Sequence, residues 1–177
     1  MKNYIDFVAQ LMEGEQPRSY GCAMIYFNSS KIAEMQKSID PQDLHENGVE
    51  DEHHTTLLYG LHSDEIADEK VMNICTGADY GPIKLRNPSL FENQDFDVLK
   101  FDAEARSLNA VNAELTQLPH TNNFPDYHPH ATVAYLKPGT GKSYIEKFSG
   151  MEETVQPIKI VYSKPGGEKV EKSLHEV

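Results

Sequence analysis

Two kinds of hydrophobic periodicity alternate along this chain. Residues 3–13 place Ile5, Val8, Ala9 and Met12 near helical spacing, which predicts a short amphipathic helix. Residues 20–27 (YGCAMIYF) form a continuous apolar and aromatic run of the length of a buried strand. Asn28-Ser29-Ser30 then offers helix N-caps, and Ile32, Met35, Gln36 and Ile39 follow at helical spacing until Pro41 ends the segment. Residues 42–51 are polar and acidic and read as a loop before a strand over 52–59, punctuated by Gly60. Ser63-Asp64-Glu65-Ile66 carries a cap and first-turn acids for a helix burying Ile66, Val71 and Ile74. An extended stretch over 82–102 has a turn at Glu92-Asn93-Gln94-Asp95. Ala103–Leu118 repeats Leu108, Val111, Leu115 and Leu118 every three or four residues, the strongest helical pattern present. A proline-rich loop over 119–129 leads into a strand from His130, then a short helix near 142–149. A hairpin closes the pattern: Ile158–Ser163, a turn at Pro165-Gly166-Gly167, then Lys169–Leu174.

Two of these strands open alike. His54-Thr55-Thr56 runs into Leu57-Leu58-Tyr59-Gly60, and His130-Ala131-Thr132 runs into Val133-Ala134-Tyr135-Leu136. Side chains at i and i+2 of a strand share a face. Each segment therefore presents an imidazole beside a hydroxyl, with Thr55/Leu57 and Ala131/Val133 on the other side. His53 also fits a His-x-Thr reading one residue out of register. The apolar flank favours His54 with Thr56, and a one-residue slip would turn the set to the opposite face. A helix-strand order preceding a motif strand in both halves predicts one α+β domain of two similar lobes about a shared cleft, spanning residues 1–177.

Breaking a phosphodiester needs a base for the nucleophile, an acid for the leaving oxygen and donors for the non-bridging oxygens. Histidine serves either proton-transfer role near neutral pH, and hydroxyls mounted on strands are aimed donors. His54, Thr56, His130 and Thr132 are the candidate catalytic set. A zinc site built from His53, His54, His128 and His130 is the weaker reading, because no Cys or His-Glu helix motif completes it, so no metal and no cofactor is expected. Gly139-Thr140-Gly141-Lys142 lacks phosphate-loop spacing and reads as a turn into a helix. Cys22 reads as buried filler.

Charge narrows the substrate. The 177 residues carry 16 basic and 28 acidic side chains, a formal net charge of −12, and the arginines are Arg18, Arg86 and Arg106 alone. Long nucleic acid is held by neutralising many phosphates, so a small nucleotide is the better fit. No tryptophan is present, so base stacking falls to Tyr or Phe, with Tyr20, Tyr127, Tyr135 and Tyr162 the candidates by position. Two cysteines and no apolar leader run predict a reduced, cytoplasmic protein. No apolar run is long enough for a membrane span, and no feature calls for an obligate protein partner.

The paired motifs resemble the 2H phosphoesterase superfamily. The flanks, His54-Thr55-Thr56-Leu57-Leu58-Tyr59-Gly60-Leu61 and Pro129-His130-Ala131-Thr132-Val133-Ala134-Tyr135, are similar to the phage anti-CBASS phosphodiesterases. That resemblance implies two pseudo-symmetric lobes of antiparallel strands with outer helices around a central cleft. It also implies metal-independent cleavage of cyclic di- and trinucleotide messengers, such as 3′,3′-cGAMP, to linear products in the cytoplasm of an infected host. His54 and His130 would form the acid/base pair, and Thr56 and Thr132 would donate to the phosphate. Two other readings remain open: a protein that sequesters such a nucleotide without cleaving it, and a 2′,3′-cyclic phosphodiesterase acting on RNA ends.

Overall fold

The computed structural model describes residues 20–122, 124 and 126–175. The helix expected over 3–13 lies outside the described residues. Nine strands and four α-helices follow in the order β1 Gly21–Phe27, α1 Ser30–Lys37, β2 Leu44–Val49, β3 His54–Leu61, α2 Asp68–Thr76, β4 Ile83–Glu92, β5 Asp97–Glu104, α3 Leu108–Leu115, β6 His130–Leu136, α4 Gly141–Phe148, β7 Glu153–Val155, β8 Pro157–Ser163 and β9 Lys169–Ser173. The strands make two antiparallel sheets, one ordered β3-β1-β8-β9 and the other β2-β6-β5-β4-β7. Helices α2 and α3 cover the first sheet, and α1 and α4 cover the second. The architecture is α+β, with two antiparallel sheets and outer helices.

A small buried cluster joins the inner faces of the two sheets: Cys22, Met24 and Tyr26 of β1, Tyr59 of β3, Val161 of β8, Val98 and Tyr135 from the second sheet, and Phe96 just before β5. The larger core lies on the helix side, where Ala23, Ile25 and Phe27 alternate with those inner residues. Alternation along β1 therefore divides one fully buried strand between two apolar layers.

Strands β3 and β6 each break that alternation just after the motif threonine, and β3 breaks it again at Gly60. In β3, Met24 faces Thr56 but Ala23 faces Leu58, so Leu57 is an extra residue. In β6, Lys100 faces Thr132 but Leu99 faces Ala134, so Val133 is extra. Such bulges reset the side-chain phase. His54, Thr56 and Tyr59 thus share the inner face, as do His130, Thr132 and Tyr135. At each bulge a carbonyl accepts from a helix carboxamide, and Val133 O accepts also from Glu50 N–H at 3.1 Å. Asn112 of α3 donates to Leu57 O at 2.7 Å, and Gln36 of α1 donates to Val133 O at 3.0 Å.

Several sequence expectations are corrected. Residues 44–49 form an edge strand, β2, where a loop was expected; its partners are few and it is half exposed, which accounts for its polar composition. Helix α2 begins at Asp68, not near Ser63, because the Ser63 hydroxyl is engaged by Tyr162 and Glu65 N–H closes a turn onto His62 O. Helix α3 begins at Leu108, since Ala103 and Glu104 extend the β4–β5 ladder. Gly60 lies within β3 rather than at its end, at φ +102, and a Cβ there would collide with the Thr121 carbonyl. The lobes are not the two halves of the sequence, because the first sheet combines β1 and β3 with the C-terminal β8 and β9.

Replacing Asn112 by Leu takes from the buried Leu57 carbonyl its carboxamide donor, with an expected cost of about 1–3 kcal/mol. Urea denaturation should show this loss; an unchanged midpoint would show that the β3 bulge does not need its amide.

Candidate active site

β3 and β6 do not pair with each other; they belong to different sheets and meet across the interior cleft. His54 opens β3 and His130 opens β6, and each imidazole is anchored in the same way. Nδ1–H of His54 donates to Glu52 O at 2.7 Å, and Nδ1–H of His130 donates to His128 O at 2.8 Å. A carbonyl only accepts, so both Nδ1 atoms carry the proton and Nε2 is the exchangeable nitrogen. The anchor also fixes each ring plane. His54 stacks on Tyr26 at 5.3 Å, and His130 meets the Phe91 ring edge-on at 5.0 Å.

A cavity of about 600 Å³ opens beside them, with Thr56, Tyr59, Phe91, Phe124, Tyr127 and His130 in its wall. His54 and Thr132 are more enclosed, at 6% and 4% exposure. Thr56 also hydrogen-bonds the Cys22 side chain, whose thiol burial pushes up to about 12, far from a nucleophile's range. His53 points elsewhere and its Nδ1 accepts from Ser29 N–H at 3.1 Å. Among the described residues, no three His, Cys, Asp or Glu side chains converge to hold a metal ion. Nor is any described helix long and apolar enough to cross a membrane.

Burial lowers both motif imidazoles. His130 falls from 6.5 to about 4, burial being the largest cause; the His128 carbonyl pulls upward, while Lys100 and His54 push down. His54 is also lowered, by burial first, against the opposing pull of the Glu52 carbonyl and carboxylate. His54 is among the groups that depress His130, so the two imidazoles are electrostatic neighbours.

The tyrosines singled out by sequence separate. Tyr127 lines the cavity, and its hydroxyl donates to Thr56 O at 2.8 Å, tying the approach to β6 onto the β3 motif. Tyr20 packs edge-on against Tyr59 and stacks on His62. Tyr135, at 2% exposure, and Tyr162, at 0%, are enclosed, and such rings offer no face to a base. Sequence reasoning missed Phe91 and Lys100. Phe91 and Phe124 are the exposed large apolar side chains among the described residues, and both line the cavity. Lys100 lies on the inner face of β5, between Val98 and Asp102, where an apolar residue is the norm.

The chain resembles known structures in fold. Usb1 of Kluyveromyces marxianus aligns with a TM-score of 0.55 at 12% identity, covering 88% of this chain and 98% of that one. The same protein with uridine monophosphate gives 0.51 at 10% identity, with 88% and 98% covered. Escherichia coli LigT complexed with phosphate gives 0.41 at 14% identity, with 89% and 96% covered. No protein-family model matches the sequence, and no curated protein matches it significantly. The shared property is the fold.

A histidine held neutral by burial makes stability depend on pH. The unfolded chain binds more protons than the folded one as pH falls from 6.5 towards about 4 for His130. Its contribution is therefore complete above pH 6.5 and lost across that window. Melting temperatures should fall more steeply there for the parent than for His130→Gln; parallel curves would reject the assignment.

Proposed function

We propose that this chain is a metal-independent phosphodiesterase of the 2H type that opens cyclic di- and trinucleotides to linear products, so countering CBASS-type antiphage signalling in the host cytoplasm. One observation supports the reading: two His-x-Thr strands from different sheets are each bulged after the Thr, each has its imidazole anchored through Nδ1, and they lie against one another beside the cavity that Thr56 and His130 line. One Nε2 takes a proton from the attacking hydroxyl or water, and the other protonates the leaving oxygen. Thr56 and Thr132 donate to the non-bridging oxygens as charge builds there. The residues need no metal in these roles.

Beyond the reacting phosphate, the cavity suits a nucleobase. Phe91 and Phe124, 41% and 53% exposed, are apolar rings left in solvent at the cavity wall, where a base would cover them. Apart from imidazoles and two tyrosine phenols, Asp126 is the one ionisable side chain among the described lining residues, and no Lys or Arg is among them, so this part of the cavity favours a base over a second phosphate. One finding favours a second reading, action on a 2′,3′-cyclic phosphate at an RNA end: a structure of this fold, Usb1, was determined with uridine monophosphate.

The test is incubation with a panel of cyclic di- and trinucleotides in excess EDTA, with products read by mass spectrometry. Linear product is expected from the parent, falling by about 10²–10⁴-fold in His54→Ala and in His130→Ala. Full activity in either variant rejects the mechanism. Intact nucleotide bound stoichiometrically would favour a sequestering protein, and cleavage confined to 2′,3′-cyclic RNA ends would favour the second reading.

A further inference from the structure

The two motif strands are equivalent, but the strands beside them are not. Across from His54 and Thr56 on β1 stand Tyr26 and Met24. At the matching positions on β5, across from His130 and Thr132, stand Asp102 and Lys100. An uncharged pair in one lobe is replaced by an ion pair in the other. The Lys100 side chain is only 8% exposed, and its Nζ donates to Ser89 Oγ at 2.8 Å and to Asp102 Oδ1 at 2.9 Å. The ammonium also lies 4.4 Å from the centre of the Phe91 ring, whose edge meets His130.

We propose that Lys100 is a positioning residue that makes the halves of the site unequal: its ammonium disfavours an imidazolium at His130, so His130 accepts the nucleophile's proton and His54 donates to the leaving oxygen. The assignment of roles rests on the phosphodiesterase reading; the electrostatic part does not.

The charges around each imidazole support this. His130 is faced by Lys100 and Asp102 from β5 and by His54 from β3, while its lead-in contributes the His128 carbonyl. Ser89 and Phe91 of β4 are uncharged, and Arg86 of β4 acts on Asp102. At His130 the repulsion from Lys100 exceeds the attraction of Asp102. Burial alone would raise the Asp102 carboxyl, but hydrogen bonds from Asn87 and Lys100 hold it below its usual range, so Lys100 is paired with an anion in a buried setting. His54 has the opposite surroundings. Its leading charged neighbour is Glu52, ahead of His53 and of Lys169 taken singly, and Glu52 is itself held by the Tyr26 hydroxyl and by Lys169. An anion near the donor and a cation near the acceptor bias the two imidazoles in opposite directions against a common background of burial.

The step balances. The O–H proton of a water or ribose hydroxyl passes to His130 Nε2 as its oxygen bonds to phosphorus. The bond from phosphorus to the leaving oxygen breaks, its electron pair stays on that oxygen, and a proton from His54 Nε2 neutralises it. Solvent exchange then restores both imidazoles.

The decisive experiment follows the His130 imidazole by NMR titration in the parent, Lys100→Met and Asp102→Asn, with amide spectra confirming the fold of each. Removing the ammonium should raise the His130 midpoint by ~1 unit, and removing the carboxylate should lower it. An unmoved midpoint in folded Lys100→Met, or shifts of the same sign in both variants, overturns the proposal whatever the activity. The roles are tested with uridine 3′-(4-nitrophenyl phosphate), whose leaving group departs without a proton. His54→Ala should keep most of the parent rate on this ester while His130→Ala loses it; the reverse pattern overturns the assignment. Opposed NMR shifts in a protein that cleaves no phosphodiester would leave the electrostatic device standing and reject the proposed function.

Discussion

The site depends on two bulges. A regular strand cannot place residues i, i+2 and i+5 on one face, because the last falls out of phase. The extra residues Leu57 and Val133 restore the phase, so a histidine, a threonine and a tyrosine all look inward from both β3 and β6. The tyrosines close the floor, joining the cluster that binds the sheets together. A bulge in a buried strand leaves a carbonyl that needs a donor, and here a helix supplies a carboxamide in each lobe. The outer helices are thus coupled to the inner face through the backbone that carries the motifs.

Electrostatics adds the asymmetry that geometry alone lacks. Burial favours neutral imidazoles in the unliganded protein. An entering phosphate brings negative charge into this low-dielectric space and favours imidazolium, most readily where Glu52 already does and least where Lys100 opposes it. Substrate itself then completes the acid. On a chain of net charge −12, a nearby buried cation is a local exception to the surrounding field.

Period-two reasoning made the motif faces legible, and the flanking apolar residues separated His54 from His53. What it could not show was phase: Leu57-Leu58 and Val133-Ala134 are all buried, and a bulge in an all-apolar run leaves no polar mark. Gln36 was visible as a polar residue in a helical apolar stripe, but its partner, Val133 O, lies far along the chain. Edge strand β2 looked like a loop because a strand with few ladder partners has little apolar demand. Capping signals at Ser63 misled for a related reason, since its hydroxyl is used by a tertiary contact with Tyr162. Lys100 escaped notice because a lone lysine reads as surface until its strand is known to be buried.

The path of the chain explains why so much of this was tertiary. From β1 it crosses to the second sheet through α1 and β2, then returns as β3. The crossing helix is fixed at its N-terminus by Glu153 of β7, which accepts from the Ser29 and Ser30 hydroxyls and from the Ser30 and Lys31 amides. Burial alone would raise that carboxyl, but these donors outweigh it and hold it below the usual range. The same turn gives its Ser29 N–H to His53, next to His54, while Gln36 in the helix supports the bulge beyond Thr132. One helix thereby locates the entrance of the first motif and the exit of the second. The two histidines are held in a common frame by a connection that belongs to neither of their strands.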